Sequence, residues 1–487
     1  MRLAPTALLL AACGPRYDWP EASDWSNRGP GIGEVEFTDD ALLTRCAVLD
    51  GGPEDVDHHN LVGMHDGYLL LPWAPEDGGG GISFFDMSDP CSPLEVGRSF
   101  SETMRESHTL AFAQLGGRDL LAVDYIDEGG DIGGIALWDV TDPSAPVWLS
   151  ELALEGFLYP DSYTRLTLST FWQGEYLYVG GAFNGVYVVD VSDPLAPVEA
   201  TRFQLDPPTL VGTIHIVGNK ALVSSSGLSR TAVLDLSDPL LPEPIAGADW
   251  RTEDETGDEL PFYFANWLGR YGVYARNGRG GGPIVYDLAD PTAPELVGHT
   301  PTEDEGGYAM RQGDTIFLGD SERGRLFSLP DLSPMGELFL PGDLDTVTPI
   351  GNLLVASVDE RGVEGEGSVV MPWATSPDRQ PPRLELVDPP DGATFVPSTA
   401  RVGLSFDEEI ARRSVHEGSV RLMTRRGEPV PVYVNVQEGI VNLTPREPLL
   451  AGESYEVQVV AGGVADISGN AVLDETVWIF TVAPSEE

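Results

Sequence analysis

A repeated segment constrains the fold of this chain more than any other feature of its sequence. In most copies an apolar strand ends in Asp and is followed by Ser or Thr, by Asp-Pro and by a second Pro. Five clear copies and two weaker ones lie at residues 81–93, 134–146, 185–197, 231–242, 283–294, 324–334 and 367–377. A second apolar strand precedes each copy, and further apolar runs lie upstream and downstream, so each unit contains about four short strands. The repeat therefore predicts seven copies of one four-stranded sheet.

The chemistry of the repeat fits short strands that end in tight turns. Proline cannot donate to a β-ladder, so pairing stops at each Asp-Pro step. An Asp or Ser side chain can accept hydrogen bonds from the backbone N–H groups of the turn. We therefore interpret the acidic residues of these steps as turn formers, not catalysts: Asp89, Asp142, Asp193, Asp238 and Asp290. Four-stranded units of roughly 40–50 residues, repeated radially, are typical of propeller blades, so we predict a seven-bladed β-propeller.

The copy GVYVVDVSDPLAP at residues 185–197 closely resembles the LVIVD repeat. This repeat defines a propeller-forming family of bacterial and archaeal surface proteins. The resemblance covers about residues 35–380, which we take as the propeller domain. It implies a fold and a place at the cell surface, and it implies no particular activity.

The seventh unit lacks an outer strand, because it runs directly into a linker at residues 379–383. Residues 41–49 are apolar and precede the first unit, so we expect them to pair with the seventh unit and close the ring. In an oxidising compartment, Cys46 and Cys91 would then form a disulfide between this strand and the turn of the first unit. Two buried free thiols are the alternative, because the sequence does not give their Cα separation.

The pattern changes after residue 380. Residues 381–484 contain about seven short strands at the spacing of a β-sandwich. The stretch resembles the SbsA-type bacterial Ig-like domain in LSFDEEI, LTPREPLLAGESYEVQV, DISGN and WIFTV, at residues 404–410, 443–459, 466–470 and 478–482. The resemblance implies a spacer or an adhesion module. We expect the Tyr455 hydroxyl to bond the backbone upstream, as in a tyrosine corner, and Asp466, Gly469 and Asn470 to form a tight turn.

The first thirteen residues, MRLAPTALLLAAC, contain an apolar run that is too short to span a bilayer. The run ends in Leu-Ala-Ala-Cys, which resembles the lipobox of bacterial lipoproteins. That resemblance implies a signal peptide over residues 1–13 that ends at a lipidated Cys13, and Gly14 then favours the outer membrane. The alternatives are an ordinary signal peptide with an incidental cysteine and a buried first strand. Residues 14–34 lack periodicity and are predicted to form a flexible tether.

The formal net charge of −50 excludes nucleic acid as a partner, because phosphate would be repelled. Two explanations of the acidity remain. One is a highly soluble surface, and the other is Ca²⁺ binding by loops rich in Gly and acid at residues 75–81, 127–134 and 359–367. These loops lack the ligand ladder of an EF-hand. We therefore predict no cofactor, with Ca²⁺ as the alternative.

Some side chains would line the central channel of a propeller. His58, His108 and His215 lie at or near the innermost strands, and Asp161, Tyr163 and Arg165 lie in a connection between units. Together they could hold a small ligand or a metal. No nucleophile elbow is present and no carboxylate pair is marked by the sequence, so we assign no catalytic residue and no metal ligand.

These features favour a non-enzymatic lipoprotein of the cell envelope that acts in binding, adhesion or structural display. Its partners would be the membrane, through the lipid anchor, and an extracellular or periplasmic protein or glycan. The first alternative is a propeller hydrolase or lyase with its site in the central channel. The second is a purely structural component of a surface layer.

Overall fold

The computed structural model describes residues 17–49, 61–74, 79–127, 129, 132–158, 169–277, 280–304, 306–342, 344–358 and 367–485. In this part of the chain, 35 β-strands and two short 3₁₀ helices are present. The 3₁₀ helices are Asp39–Ala41 and Arg412–Ser414. Among the described residues, no helix is long and apolar enough to cross a membrane. The fold is all-β, as predicted.

The repeats form seven antiparallel sheets of four strands, which we number in chain order. Sheet 1 contains β2 (Gly63–His65), β3 (Tyr68–Trp73), β4 (Gly80–Asp86) and β5 (Leu94–Ser101). Sheet 2 contains β6 (Ala111–Leu115), β7 (Arg118–Ile126), β8 (Ile132–Asp139) and β9 (Val147–Leu158). Sheet 3 contains β10 (Ser169–Gln173), β11 (Tyr176–Gly180), β12 (Val186–Asp190) and β13 (Val198–Phe203). Sheet 4 contains β14 (Val211–Val217), β15 (Lys220–Ser225), β16 (Arg230–Asp235) and β17 (Glu243–Arg251).

The remaining sheets follow the same order. Sheet 5 contains β18 (Phe262–Leu268), β19 (Tyr271–Arg276), β20 (Pro283–Asp287) and β21 (Glu295–His299). Sheet 6 contains β22 (Ala309–Gln312), β23 (Thr315–Asp320), β24 (Arg323–Ser328) and β25 (Pro334–Phe339). Sheet 7 contains β26 (Thr346–Ile350), β27 (Leu353–Ser357), β28 (Ser368–Pro372) and, from the start of the chain, β1 (Ala47–Leu49).

The strand that precedes the repeats completes sheet 7, as predicted. β1 pairs antiparallel with β28, with Ala47 opposite Val370 and Leu49 opposite Ser368. The regular strand is shorter than residues 41–49, because Ala41 ends a 3₁₀ helix and Leu43 has a positive φ of 53°. Sheet 7 also packs on sheet 1, in an apolar cluster that includes Leu69, Leu71, Val355 and Val370. The two ends of the repeat array are therefore in contact.

The Asp-Pro steps form the turns between the third and fourth strands. In four of the five clear copies the Asp carboxylate accepts a hydrogen bond from the backbone N–H two residues later, at 3.0 Å: Asp142, Asp193, Asp238 and Asp290. The Asp that ends each third strand does the same at 2.8–3.0 Å: Asp86, Asp139, Asp190, Asp235 and Asp287. The interpretation of the Asp-Pro acids as turn formers is therefore confirmed at Asp142, Asp193, Asp238 and Asp290, and Asp89 accepts the bond of its turn from Ser92 through its backbone carbonyl.

The C-terminal part is a two-sheet β-sandwich of seven strands. One sheet has the order β29 (Leu384–Asp388), β30 (Val402–Phe406), β33 (Ile440–Pro445) and β32 (Val432–Gln437). The other has the order β31 (Val420–Thr424), β34 (Ser454–Val459) and β35 (Thr476–Thr481). The Tyr455 hydroxyl accepts a hydrogen bond from the Leu450 backbone N–H at 2.8 Å, so the tyrosine corner is confirmed.

Residues 17–34, which belong to the predicted tether, make defined contacts with both parts of the molecule. The Tyr17 hydroxyl donates to Glu417 of the sandwich at 3.2 Å, and the Arg421 guanidinium lies 5.0 Å from the centre of the Trp19 ring. Farther along, the Gly29 backbone N–H donates to a carbonyl of sheet 1 at 2.9 Å. These contacts could not be predicted from the sequence, since they use backbone groups and single aromatic rings rather than a periodic pattern.

Candidate functional site

The sandwich lies across one face of the sheet array. We call this the covered face, and it consists of the turns between the first and second strands of sheets 1–7. Hydrogen bonds at 2.7–3.1 Å join the sandwich to turns of sheets 3 to 6, through Gly174–Asn435, Gly218–Asn442, Arg270–Glu385 and Gly313–Asp407. Ion pairs of Arg413 with Asp66 and Asp119 reach sheets 1 and 2. In sheet 7, a Cβ added to Gly351 would lie 2.9 Å from the Ser468 hydroxyl. The sandwich thus contacts every sheet.

The hairpin between β32 and β33 enters the space between the innermost strands. The Gln437 side chain donates to the Thr170 carbonyl of sheet 3 at 3.2 Å. Ile440 packs in the same apolar cluster as Ile214 of sheet 4 and Trp267 of sheet 5. Asn442 is almost fully buried, at 1% exposed. The sandwich is therefore part of the core rather than a separate spacer.

Asn442 makes a pair of buried bonds that hold this hairpin in place. Its amide nitrogen donates to the Ile216 carbonyl at 2.8 Å, and its oxygen accepts from the Gly218 N–H at 2.8 Å. In the Asn442→Ala variant both backbone groups lose their partner, so we expect the free energy of unfolding to fall by about 2–3 kcal/mol. Urea unfolding measures this loss. The control Asn184→Ala removes a half-buried amide on the opposite side of the sheets and should cost about 1 kcal/mol or less. Equal losses in both variants would contradict this role.

A cavity of about 50 Å³ remains between the hairpin and the innermost strands. Leu61, Leu110 and Met310 line it from the sheets, and Glu409 and Arg412 line it from the sandwich. The volume holds one or two water molecules. Burial raises the pKa of Glu409, and Arg412 partly offsets this effect. The cavity is too small for a substrate of ordinary size.

An aromatic layer lies within the same core. Phe264 and Tyr308 stack with ring centres 3.9 Å apart, and His108 stacks on Phe264 at 5.7 Å. These rings belong to sheets 2, 5 and 6 and their connections, so they meet across the centre of the array. All three are buried.

His108 lies between two carboxylates. Its Nε2 atom is 3.0 Å from Glu106 Oε1, and its Nδ1 atom is 3.7 Å from Asp124 Oδ2. Asp124 also pairs with Arg105 at 3.3 Å, and these four side chains are almost fully buried. Burial alone would lower the pKa of His108, but Glu106 and Asp124 outweigh it and raise the pKa to about 10. The two carboxylates therefore favour the charged form of the His108 imidazole.

A second acidic cluster lies where the sheet array meets the sandwich. One carboxylate oxygen from each of Asp378, Glu408 and Asp466 lies within 4.8 Å of the others. Burial, together with repulsion from Asp466, raises the pKa of Glu408 to about 10. Burial also raises the pKa of Asp466 to about 7. Three segments that are distant in sequence thus converge on one acidic point.

A larger groove of about 470 Å³ lies between the N-terminal segment, sheets 1 and 2 and the sandwich. Its charged groups largely neutralise one another, because Arg413 pairs with Asp66 and Asp119, and Arg28 pairs with the same two carboxylates. His65 at its base is stacked on Phe112, and burial lowers the pKa of His65 to about 3.

Of the residues that the sequence grouped around the channel, the structure describes only His108 and His215. His108 is in the buried charged cluster, whereas His215 is buried on β14 with its ring 6.1 Å from Phe171. Burial lowers the pKa of His215 to about 4. His58, Asp161, Tyr163 and Arg165 lie outside the described residues, as do Cys13 and most of the Gly-rich acidic loops. Cys46 and Cys91 are joined by a disulfide with their Cα atoms 5.0 Å apart.

Sequence reasoning missed the partners of His108 and the whole acidic junction. Glu106 and Arg105 stand in the segment MRESHTL, where three charged residues in an otherwise short connection were a usable signal. Glu408 stands in LSFDEEI, where two adjacent acids follow Asp407 directly after an apolar strand. Asp124 looked like an ordinary residue at the end of a strand.

Family models match two parts of the chain. Residues 378–482 match the bacterial Ig-like domain, and residues 172–204 match the LVIVD repeat. A comparison with curated protein sequences found no match. Both family resemblances that the sequence suggested are thus confirmed.

Solved structures with a similar arrangement of sheets include three with very low sequence identity. BamB from Moraxella catarrhalis is 11% identical with a TM-score of 0.41, over 67% of this chain and 96% of that one. The periplasmic gluconolactonase PpgL of Pseudomonas aeruginosa is 11% identical with a TM-score of 0.45, over 56% and 82%. The computationally designed protein Ika8 is 9% identical with a TM-score of 0.41, over 82% and 99%. Scores this low carry no information about activity. The chain thus combines a propeller-type fold with a segment that matches the bacterial Ig-like domain.

Proposed function

We propose that this chain is an exported, lipid-anchored protein of the cell envelope that binds a protein or glycan and catalyses no reaction. Its seven sheets form a closed propeller of seven blades, with β1 completing the last blade. Residues 1–13 act as the signal peptide, and Cys13 carries the lipid. The outer membrane or the cell surface is the proposed location.

One observation carries the proposal: the sandwich covers one face of the sheets and its hairpin fills the space between their innermost strands. Asn442 and Gln437 of this hairpin bond backbone carbonyls of β14 and β10, so they occupy the approach to the innermost strands from that side. The turns between the second and third strands lie at the other ends of the same strands. We call this side the open face. A broad, rigid face that carries variable loops is suited to binding.

Exposed apolar side chains on the open face support a binding role. Phe183 lies in the turn between β11 and β12 and is 47% exposed, and Leu228 lies in the equivalent turn of sheet 4 and is 43% exposed. Aromatic and aliphatic anchors of this kind account for much of the energy of protein interfaces. The surrounding negative charge would favour a partner with a basic surface.

A capture experiment with matched variants tests the proposal. The full-length protein is purified in detergent with an affinity tag and crosslinked in an envelope extract. We expect the wild type to retain a specific partner and the Phe183→Ala/Leu228→Ala variant to retain it about tenfold less. Quantitative mass spectrometry of the captured material measures the difference.

The control removes two exposed apolar side chains from the sandwich, and together these expose more surface than Phe183 and Leu228 do. Leu450 and Leu473 are 66% and 75% exposed, and the Leu450→Ala/Leu473→Ala variant should capture as much partner as the wild type. The proposal fails if no partner is enriched over a tag-only sample. It also fails if the control variant loses the partner while the open-face variant keeps it.

A hydrolase or lyase is the second candidate, and one observation favours it. His108, Glu106 and Asp124 bring an imidazole and two carboxylates within hydrogen-bond or ion-pair distance of one another, which is the composition of a general acid–base site. Against it, the described atoms of this cluster are buried beside stacked aromatic rings rather than in a water-filled pocket. Turnover of ester, phosphoester or glycoside substrates that is lost in His108→Gln would favour this candidate.

A further inference from the structure

The acidic junction combines three segments that the fold brings together from far apart. Asp378 follows the last strand of the sheet array, Glu408 follows β30, and Asp466 lies in the turn after β34. Asp466 is fully buried and Glu408 is 6% exposed. Three carboxylates in such surroundings repel one another strongly, so the junction needs protons or a cation to neutralise it.

Two of the three carboxylates are already oriented by hydrogen bonds. Asp378 accepts from the Gln312 amide of sheet 6 at 3.0 Å and from the Gln380 N–H at 2.9 Å. Asp466 accepts from the backbone and the side chain of Asn470, both at 2.9 Å. Each carboxylate oxygen has a second lone pair, so these bonds leave both groups able to bind a cation.

Glu408 is different, because its carboxylate makes no hydrogen bond or ion pair with the described residues although it is more than nine-tenths buried. The nearby guanidinium of Arg383 is already used, since it binds Asp407 at 2.6 Å and Asp314 at 2.5 Å. A buried carboxylate without a partner costs several kcal/mol. Its oxygen is nevertheless aimed at the oxygens of Asp378 and Asp466.

We propose that Asp378, Glu408 and Asp466 bind one Ca²⁺ ion at the junction between the sheet array and the sandwich. The ligand set contains only carboxylate oxygens, which suits a hard cation and disfavours zinc or copper. Two oxygens that each lie about 2.4 Å from a common Ca²⁺ ion are at most about 4.8 Å apart, and the three oxygens meet this limit. Glu408 and Gln312 also line the small cavity, which has room for a water ligand.

The site would act as a latch for the sandwich. One ion would join the end of the repeat array, held by Gln312 of sheet 6, to two loops of the sandwich. It differs from the Gly-rich acidic loops that the sequence suggested for Ca²⁺, because none of its three carboxylates belongs to residues 75–81, 127–134 or 359–367. A ligand that binds only the folded state raises its stability. Ca²⁺ should therefore stabilise the contact between the sandwich and the covered face.

Titration calorimetry tests the proposal. The full-length protein in detergent is first treated with a chelator and is then titrated with Ca²⁺. We expect one Ca²⁺ per chain from this site, and an affinity at least tenfold weaker in both Glu408→Gln and Asp466→Asn. Ca²⁺ at about 100 times its dissociation constant should raise the melting temperature of the wild type by a few degrees. The same addition should raise the melting temperature of Glu408→Gln by about half as much or less. Because Gln matches Glu in shape, the variant keeps the fold, which circular dichroism checks.

The matched control is Asp320→Asn, which removes another buried carboxylate, one that pairs with Arg325 in sheet 6 at 2.7 Å. Its Ca²⁺ affinity should equal that of the wild type. The proposal is overturned if the wild type neither binds Ca²⁺ nor melts higher in its presence. It is also overturned if Glu408→Gln binds as tightly as the wild type, because the ion would then lie elsewhere. Tighter binding of Mg²⁺ than of Ca²⁺ would overturn the choice of ion.

Discussion

Replacing Cys46 and Cys91 together by serine is expected to lower the free energy of unfolding by about 4 kcal/mol. The two cysteines are separated by 45 residues, and a loop of that length loses a large conformational entropy in the unfolded chain when its ends are joined. Cys46 lies beside β1, which completes sheet 7, whereas Cys91 lies in the turn between β4 and β5 of sheet 1. The disulfide therefore links the first and last sheets of the array covalently.

Urea unfolding of the oxidised protein and of the double variant measures this loss. The matched control is Cys13→Ser, which removes a cysteine outside the described residues and should leave the unfolding midpoint unchanged. Reducing agent should shift the wild type toward the double variant and leave the double variant where it is. A double variant as stable as the oxidised wild type would show that the pair contributes nothing to closure.

His108→Gln is expected to cost about 3–5 kcal/mol at pH 7, because it removes a buried positive charge that lies between two buried carboxylates. Glu106 lies 3.0 Å from His108, and Asp124 lies 3.7 Å away. Arg105 still pairs with Asp124 in the variant. Glu106 should therefore lose more electrostatic stabilisation than Asp124. Glutamine is close in size to histidine and can donate a hydrogen bond, so the variant tests the charge rather than the volume.

The pH dependence of this loss of stability follows from the direction in which folding shifts the pKa of His108. The pKa of His108 rises from 6.5 in the unfolded chain to about 10 in the folded protein. The stabilisation is therefore fully present below pH 6.5 and is lost as the pH rises toward 10. The difference in stability between wild type and His108→Gln should shrink over this range in urea titrations at successive pH values.

His215→Gln is the matched control for the pH series. His215 is also buried, but burial lowers its pKa to about 4, so it is neutral in both folded and unfolded chains above pH 6.5. Its effect on stability should not change between pH 6.5 and 10. If the two variants show the same pH profile, the carboxylates do not hold a charged His108.

The repeats and turns were predictable because each is decided by neighbouring residues. Asp142 caps its own turn two residues ahead, and Tyr455 bonds a backbone group five residues upstream. Such contacts leave a signature in a short stretch of sequence. The strand β1 was predictable for a different reason. Counting the strands of each unit showed that the seventh unit lacked its outer strand.

The placement of the sandwich could not be predicted in this way. The Gln173 and Asn442 side chains meet although 269 residues separate them, and the docking bonds use backbone groups of Gly174 and Gly218. No periodic pattern marks a backbone N–H that a distant domain will bind. The charged clusters were missed for the same reason, since Asp378, Glu408 and Asp466 become neighbours only after docking.

If Cys13 carries a lipid, as we propose, the N-terminal segment would determine how the molecule is oriented on the membrane. Tyr17 and Trp19 rest on the sandwich, and the three residues between Cys13 and Tyr17 allow these two residues to lie at most about 14 Å apart. A lipid on Cys13 would thus anchor the protein with its sandwich close to the bilayer surface. The open face, with Phe183 and Leu228, would then point away from the bilayer. Partners outside the membrane could reach this face, whereas the lipids of the same membrane could not.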